Sequence, residues 1–174
     1  MNKAEWNIGF YSSLFTTLFA ILYIISQLII GIDMPETQKD QFFILLPSLF
    51  LAPSFLIMVV SVHSLAEAER KIWSHIGIVF ATAYFIFVSI IYLTELTVTL
   101  PHTLAGNEVS VDLLRYVPKK FLTGVYALGY TCMSLSTLFA AGVFYKERLE
   151  FWIKRFFVLN GILAPIILLT NCTP

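Results

Sequence analysis

The sequence predicts an all-α, polytopic helix bundle in a membrane, with about five transmembrane helices and the N-terminus cytoplasmic. Three observations lead there. Of 174 residues, 58% are hydrophobic and only 13% charged, against about 45 to 50% and about 25% in soluble domains. The apolar residues fall into runs of about 20 or more, the length with which a helix crosses a hydrocarbon core of roughly 30 Å. The charges gather in the short gaps between those runs, so lipid rather than water must surround most of the chain.

Continuous apolar runs favour helices over barrel strands, which alternate apolar and polar residues over about 10 positions. Hydrocarbon offers the backbone no water to bond, and a helix satisfies its own amides within one segment. The first span is read over 8–32. Lys3 precedes it as a signal-peptide n-region would, but the run is longer than the roughly 7 to 15 residues of a leader core and no small-x-small site follows, so a retained span is expected.

Asp33 to Asp40, with Pro35 inside, reads as a polar turn. The second span follows at 42–65, with Pro47 and Pro53 inside it as packing kinks. Glu67-Ala68-Glu69-Arg70-Lys71 is a tight charged connection that forces the second span into an antiparallel hairpin with the third, at 72–100. The gap 101–120 is the longest and the expected place for an extramembrane element. Within it Val109, Leu113, Tyr116 and Val117 recur at helical spacing with Asn107 placed to cap, which suits a short interfacial helix as well as a plain loop.

The fourth span covers 121–145 and the fifth 151–170. Arg155 cuts into the fifth, so Lys154 and Arg155 are expected to snorkel and Trp152 to sit in the aromatic belt, after an amphipathic start over 146–155 along the interface. Pro165 lies within this span, and four-span or extended readings stay open. The whole of 1–174 is one transmembrane domain in this reading, without an internal repeat of the transporter kind. Seven Lys and Arg fall on the N-terminal side of the five spans and four on the other, which places the N-terminus in the cytoplasm and the C-terminus outside.

Equal numbers of acidic and basic residues, 11 of each, exclude the basic footprint that nucleic acid requires. Cys132 and Cys172 form neither a disulfide framework nor a metal-ligand spacing. Phosphate-cradling glycine loops, the Gly-x-Ser-x-Gly elbow and the His-Glu-x-x-His motif are absent. No set of acid, base and nucleophile is visible, so an enzyme is the least favoured class and no cofactor is expected.

An ionisable group inside a span costs roughly 2.5 to 3.5 kcal/mol at mid-membrane, so each one asks for a reason. Glu95 lies more than a turn inside the third run, where it would suit proton or cation exchange; the plainer alternative is that the helix ends early and the carboxylate meets water. Tyr92 shares its helical face, and Ser26, Gln27, Tyr126 and Tyr130 are expected at the same depth. Together they would form an outward-facing pocket for a small apolar or amphipathic molecule or an ion.

His63 and Glu67, four residues apart, and His75 across the hairpin are three candidate ligands without a complete shell, so no metal is expected. In the fourth span Cys132, Ser136 and Ala140 form a small-xxx-small stripe, either the central packing seam or a homodimer or partner face. The stretches Phe87 to Tyr92, Ala127 to Tyr130, Leu138 to Ala141 and Arg148 to Ile153 leading to Asn160-Gly161 resemble a group of uncharacterised bacterial multi-pass membrane proteins, over the C-terminal half. The resemblance implies a bacterial cell membrane, admits a further span beyond the chain's end, and assigns no activity. Two function classes follow: binding or transport of a small molecule or ion beside Glu95, and a non-enzymatic subunit or sensor that docks a membrane partner through the fourth span.

Overall fold

The computed structural model describes residues 3–33, 38–107, 111, 114, 121–145 and 148–172, without the side chains of 30–33, 38–41 and 167–172. Every regular element among them is helical. Helix α1 is Lys3–Asp33 and α2 is Gln38–Leu65. A 3-10 turn, Ala68–Arg70, leads into α3, Lys71–Thr94, which passes through a π-helical turn, Glu95–Thr99, into α4, Leu100–Leu104. Helix α5 is Phe121–Ala140, closed by a 3-10 turn at Ala141–Val143, and α6 is Arg148–Cys172.

Among the described residues four stretches are long and apolar enough to cross a membrane: Lys3–Ile29, Phe42–Leu65, Ala68–Leu104 and Phe121–Val143. Helix α6 has the length, at 25 residues, but opens with Arg148, Glu150, Lys154 and Arg155. The chain is thus an all-helical bundle of multi-pass membrane type. Bulky apolar side chains such as Ile8, Phe15, Ile25, Ile86, Ile90 and Phe156 stay exposed, a surface that water would drive to aggregate and that lipid solvates.

Each helix packs chiefly on its neighbour in the chain, and the α3–α5 seam is the most extensive. The core is built there and against α2, from Ala52, Phe55 and Val59, Ala81, Tyr84, Val88 and Ile91, and Leu122 and Cys132. Small residues set the close approaches. A Cβ on Gly77 would lie 3.1 Å from the Ser136 carbonyl oxygen and 3.4 Å from Ala140 Cβ, and the Ser136 hydroxyl donates to the Gly77 carbonyl at 2.8 Å. Cys132, Ser136 and Ala140 are all buried. The stripe packs against α3 of the same chain.

Several boundaries depart from expectation. The third span does not end at Leu100 but runs on through Pro101. Proline lacks an N–H and its ring crowds the carbonyl four residues back, a conflict that a widened turn just before it relieves. Helix α4 ends at Leu104, and the turn beyond it holds Gly106, whose φ of 76° is the left-handed conformation that glycine adopts most cheaply.

The proposed helix residues Val109, Leu113, Tyr116 and Val117 lie outside the described residues, as does the turn at 34–37. Val111 is buried, and the Leu114 carbonyl accepts a 3.2 Å bond from the Thr99 hydroxyl, which ties this segment back to the π-turn. Helix α6 is continuous from Arg148, so its charged start is part of one rod and not a separate interfacial element. There Arg155 lies over the rings of Phe151, at 4.2 Å, and Trp152, at 5.5 Å.

Candidate functional site: a tyrosine cluster between three helices

The structure brings together four of the six residues expected to line a pocket, Gln27, Tyr92, Tyr126 and Tyr130, and adds two that sequence reasoning missed. The Tyr92 hydroxyl on α3 meets that of Tyr130 on α5 at 2.9 Å. Tyr126 lies one turn before Tyr130, with ring centroids 4.5 Å apart. Its hydroxyl is 3.3 Å from that of Tyr23 on α1, and Gln27 donates from Nε2 to the same Tyr23 oxygen at 3.3 Å. Tyr84 then stands edge-on to Tyr130, with centroids at 5.6 Å, and Phe55 of α2 stands edge-on to Tyr84 at 5.5 Å.

The helices supply this arrangement by their period. Tyr23 and Gln27, and Tyr126 and Tyr130, are spaced four apart, and Tyr84 and Tyr92 are eight apart, so each pair shares one face of its helix. That spacing was the available signal for Tyr23 and Tyr84. It is weak, because a tyrosine in an apolar run reads equally well as a packing aromatic.

Tyr84 is the anomaly of the cluster. Its side chain is fully buried, at 0% exposure, and its hydroxyl makes no hydrogen bond. The Tyr130 hydroxyl approaches it as a weak, poorly aligned hydrogen-bond partner and does not reach full bonding geometry. A second buried hydroxyl without a partner, that of Ser134, lies one turn beyond Tyr130 on the same face of α5. A buried polar group left unpaired costs about 1 to 3 kcal/mol, and native proteins carry few of them.

Glu95 is buried, at 6% exposure, as the first residue of the π-turn and three residues beyond Tyr92. The helix does not end before Glu95 but continues through the π-turn into α4. Its backbone N–H still bonds to the carbonyls of Ile91 and Tyr92, so the widening begins beyond it. Ser26 does not join the cluster: its hydroxyl donates to the carbonyls of Leu22, at 2.8 Å, and Phe43, at 3.3 Å, which ties α1 to α2. Gln27 belongs only through Tyr23 and is otherwise exposed.

At the other end of the bundle His63 and Glu67 do not share a helical face. Helix α2 ends at Leu65 and Glu67 is extended, with ψ at 154°. The Glu67 carboxylate instead accepts from the Tyr145 hydroxyl, while Arg70 lies 3.8 Å over the Tyr145 ring and donates to the Gly142 carbonyl at 2.7 Å. His63 is engaged by the Ser74 hydroxyl at 2.7 Å and stands edge-on to His75 at 5.0 Å. Among the described residues no group of three or more His, Cys, Asp or Glu is placed to hold a metal ion.

An open groove of about 260 Å³ between α1 and α2, with Glu5, Gly9, Ser13 and Ser61 in its lining, is separate from the tyrosines. No protein-family model matches the chain, and comparison with curated proteins and with solved structures finds no match for it either.

Proposed function

We propose that this chain is an integral membrane protein that binds a small apolar or amphipathic molecule inside the bilayer, against the tyrosines contributed by α1, α3 and α5. The site sits beside Glu95, with the N-terminus in the cytoplasm and Glu95 toward the outer end of its helix. The observation that carries the reading is the Tyr84 hydroxyl, sealed from solvent at the centre of an aromatic cluster and without a hydrogen-bond partner. Hydroxyls converging from three helices on an apolar core are the composition of a small-molecule site: many packing contacts and a few polar groups that fix orientation.

Gentle extraction followed by native mass spectrometry tests this. Wild-type protein is expected to carry a small molecule of defined mass, and Tyr84→Phe to lose it while remaining monodisperse. An empty wild type, combined with a Tyr84→Phe variant as stable as the parent or up to about 3 kcal/mol more so, overturns the reading. That pattern is what deleting a merely unsatisfied hydroxyl produces.

A further inference from the structure

We propose that the outward face of α6 binds an anionic phospholipid, its phosphate held by Arg148 and Arg155 and an acyl chain laid along the helix below them. The surface is separate from the tyrosine cluster and does not depend on it. Helix α6 has a packed side and an open one. Ile153, Phe157 and Ala164 lie on the packed side. Arg148, Trp152, Arg155, Leu159 and Ile162, spaced by three and four, share the other, and all five are exposed.

Charge on this face is uncompensated. Among the described residues neither arginine pairs with a carboxylate, and the interactions of Arg155 are with rings, its Cζ 4.2 Å from the Phe151 centroid and 5.5 Å from that of Trp152. Ring faces attract the cation but leave the N–H donors around its edge open to an acceptor. Phe151 lies one turn before Arg155, so the guanidinium is drawn back toward Arg148, nearer than their separation of about 10 Å along the axis implies. Glu150 sits roughly opposite them around the helix, where it accepts the Tyr145 backbone N–H at 2.9 Å, and no Asp or Glu follows it in the sequence.

Below the arginines the same side of the helix is wholly apolar, with Phe156, Leu159, Ile162 and Ile166 exposed. The occupant must therefore present an anion above and hydrocarbon below within one molecule, as a phospholipid does. Its net charge follows from Lys154, which adds a third cation beside Arg155. A zwitterionic headgroup brings an ammonium among these cations, whereas phosphatidylglycerol brings its phosphate alone. In the orientation proposed above, this end of α6 lies in the cytoplasmic leaflet, where anionic lipid gathers.

The test uses the full chain in phosphatidylcholine nanodiscs at about 0.15 M salt, with Trp6 and Trp73 replaced by phenylalanine so that Trp152 alone reports. A small fraction of the lipid carries bromine on its acyl chains, which quenches Trp152 on contact, and is either phosphatidylglycerol or phosphatidylcholine. Phosphatidylglycerol is expected to be preferred at least about tenfold, and Arg148→Gln or Arg155→Gln each to lower that preference roughly fivefold. Arg155→Lys should fall between, because an ammonium keeps the charge but not the planar fork that grips two phosphate oxygens. Lys3→Gln removes a like charge from α1 and should change nothing. Each preference is a ratio within one variant, so altered surroundings of Trp152 cancel, and native mass spectrometry of the chain with all three tryptophans reads the same ratio if the phenylalanine background does not fold. Equal association of the two lipids overturns the proposal, as does a preference indifferent to both glutamine substitutions. Displacement of phosphatidylglycerol by inorganic phosphate at constant ionic strength overturns the lipid as occupant, and so does a Trp152 that neither lipid quenches, which marks the face as covered by protein.

Discussion

Two kinds of residue decide how closely these helices approach, glycines and buried hydroxyls, and their energies differ in scale. Ser136 donates across the α3–α5 seam to Gly77, but interhelical hydrogen bonds in membranes average only about 0.6 kcal/mol. Ser136→Ala is expected to lower stability by no more than about 1 kcal/mol. Gly77→Val drives its side chain into the Ser136 backbone oxygen, which would sit 3.1 Å from the new Cβ. That overpacking is expected to cost about 1 to 3 kcal/mol.

Gly161 is tighter still, since a Cβ there would lie 2.6 Å from Leu138 Cβ and 3.2 Å from its Cα. Gly161→Ala should destabilise by a similar amount, and Leu138→Ala should rescue little of it because the Cβ and backbone contacts remain. Thermal unfolding in detergent, read for the two single variants and the double, checks both statements. The tyrosines were only partly legible at this scale. Tyr92, Tyr126 and Tyr130 could be grouped by depth with Glu95, whereas Tyr23 and Tyr84 lie deeper in their apolar runs and enter only when three helices converge.

The elements themselves were read well where hydrophobic length decides them and poorly where backbone chemistry does. Each apolar run falls on one helix, and four of these helices, among the described residues, are long and apolar enough to cross a membrane. What the runs could not show is that Glu67 leaves α2, since helical spacing assumes the helix continues, or that the chain accommodates Pro101 by widening one turn instead of ending the rod. The connection between α2 and α3 is fastened to the end of α5 through Tyr145, by the Glu67 carboxylate on its hydroxyl and the Arg70 guanidinium over its ring. Tyr145→Phe keeps the ring and should cost less than about 1 kcal/mol, as expected for an exposed pair. Tyr145→Ala loses both contacts and should cost about twice as much. Arg70→Lys should also weaken the corner, because a lysine cannot stack flat on the ring and reach the Gly142 carbonyl together. Unfolding midpoints of the three variants rank these effects.

At the scale of the molecule, composition made the membrane class plain, and the exposed apolar faces of the folded bundle agree with it. The direction of insertion rests on the distribution of Lys and Arg, and it makes a prediction that packing does not. Membrane-impermeant thiol reagents applied to intact cells should leave Lys3→Cys and Glu69→Cys unmodified and should label His102→Cys, with Cys132 and Cys172 replaced by serine beforehand. Labelling of Lys3→Cys or Glu69→Cys in place of His102→Cys would reverse the orientation.

Packing order carries a consequence for biogenesis. Because α1 lies on α2, α2 on α3, α3 on α5 and α5 on α6, every large seam joins segments made one after the other on the ribosome. Each newly inserted rod finds its main companion already waiting in the bilayer, so assembly can advance in step with translation and requires no late threading of an early helix between later ones. The tyrosines behave differently. Tyr23 meets Tyr126 only after α5 has entered the bilayer, so the cluster closes long after its first member has left the ribosome.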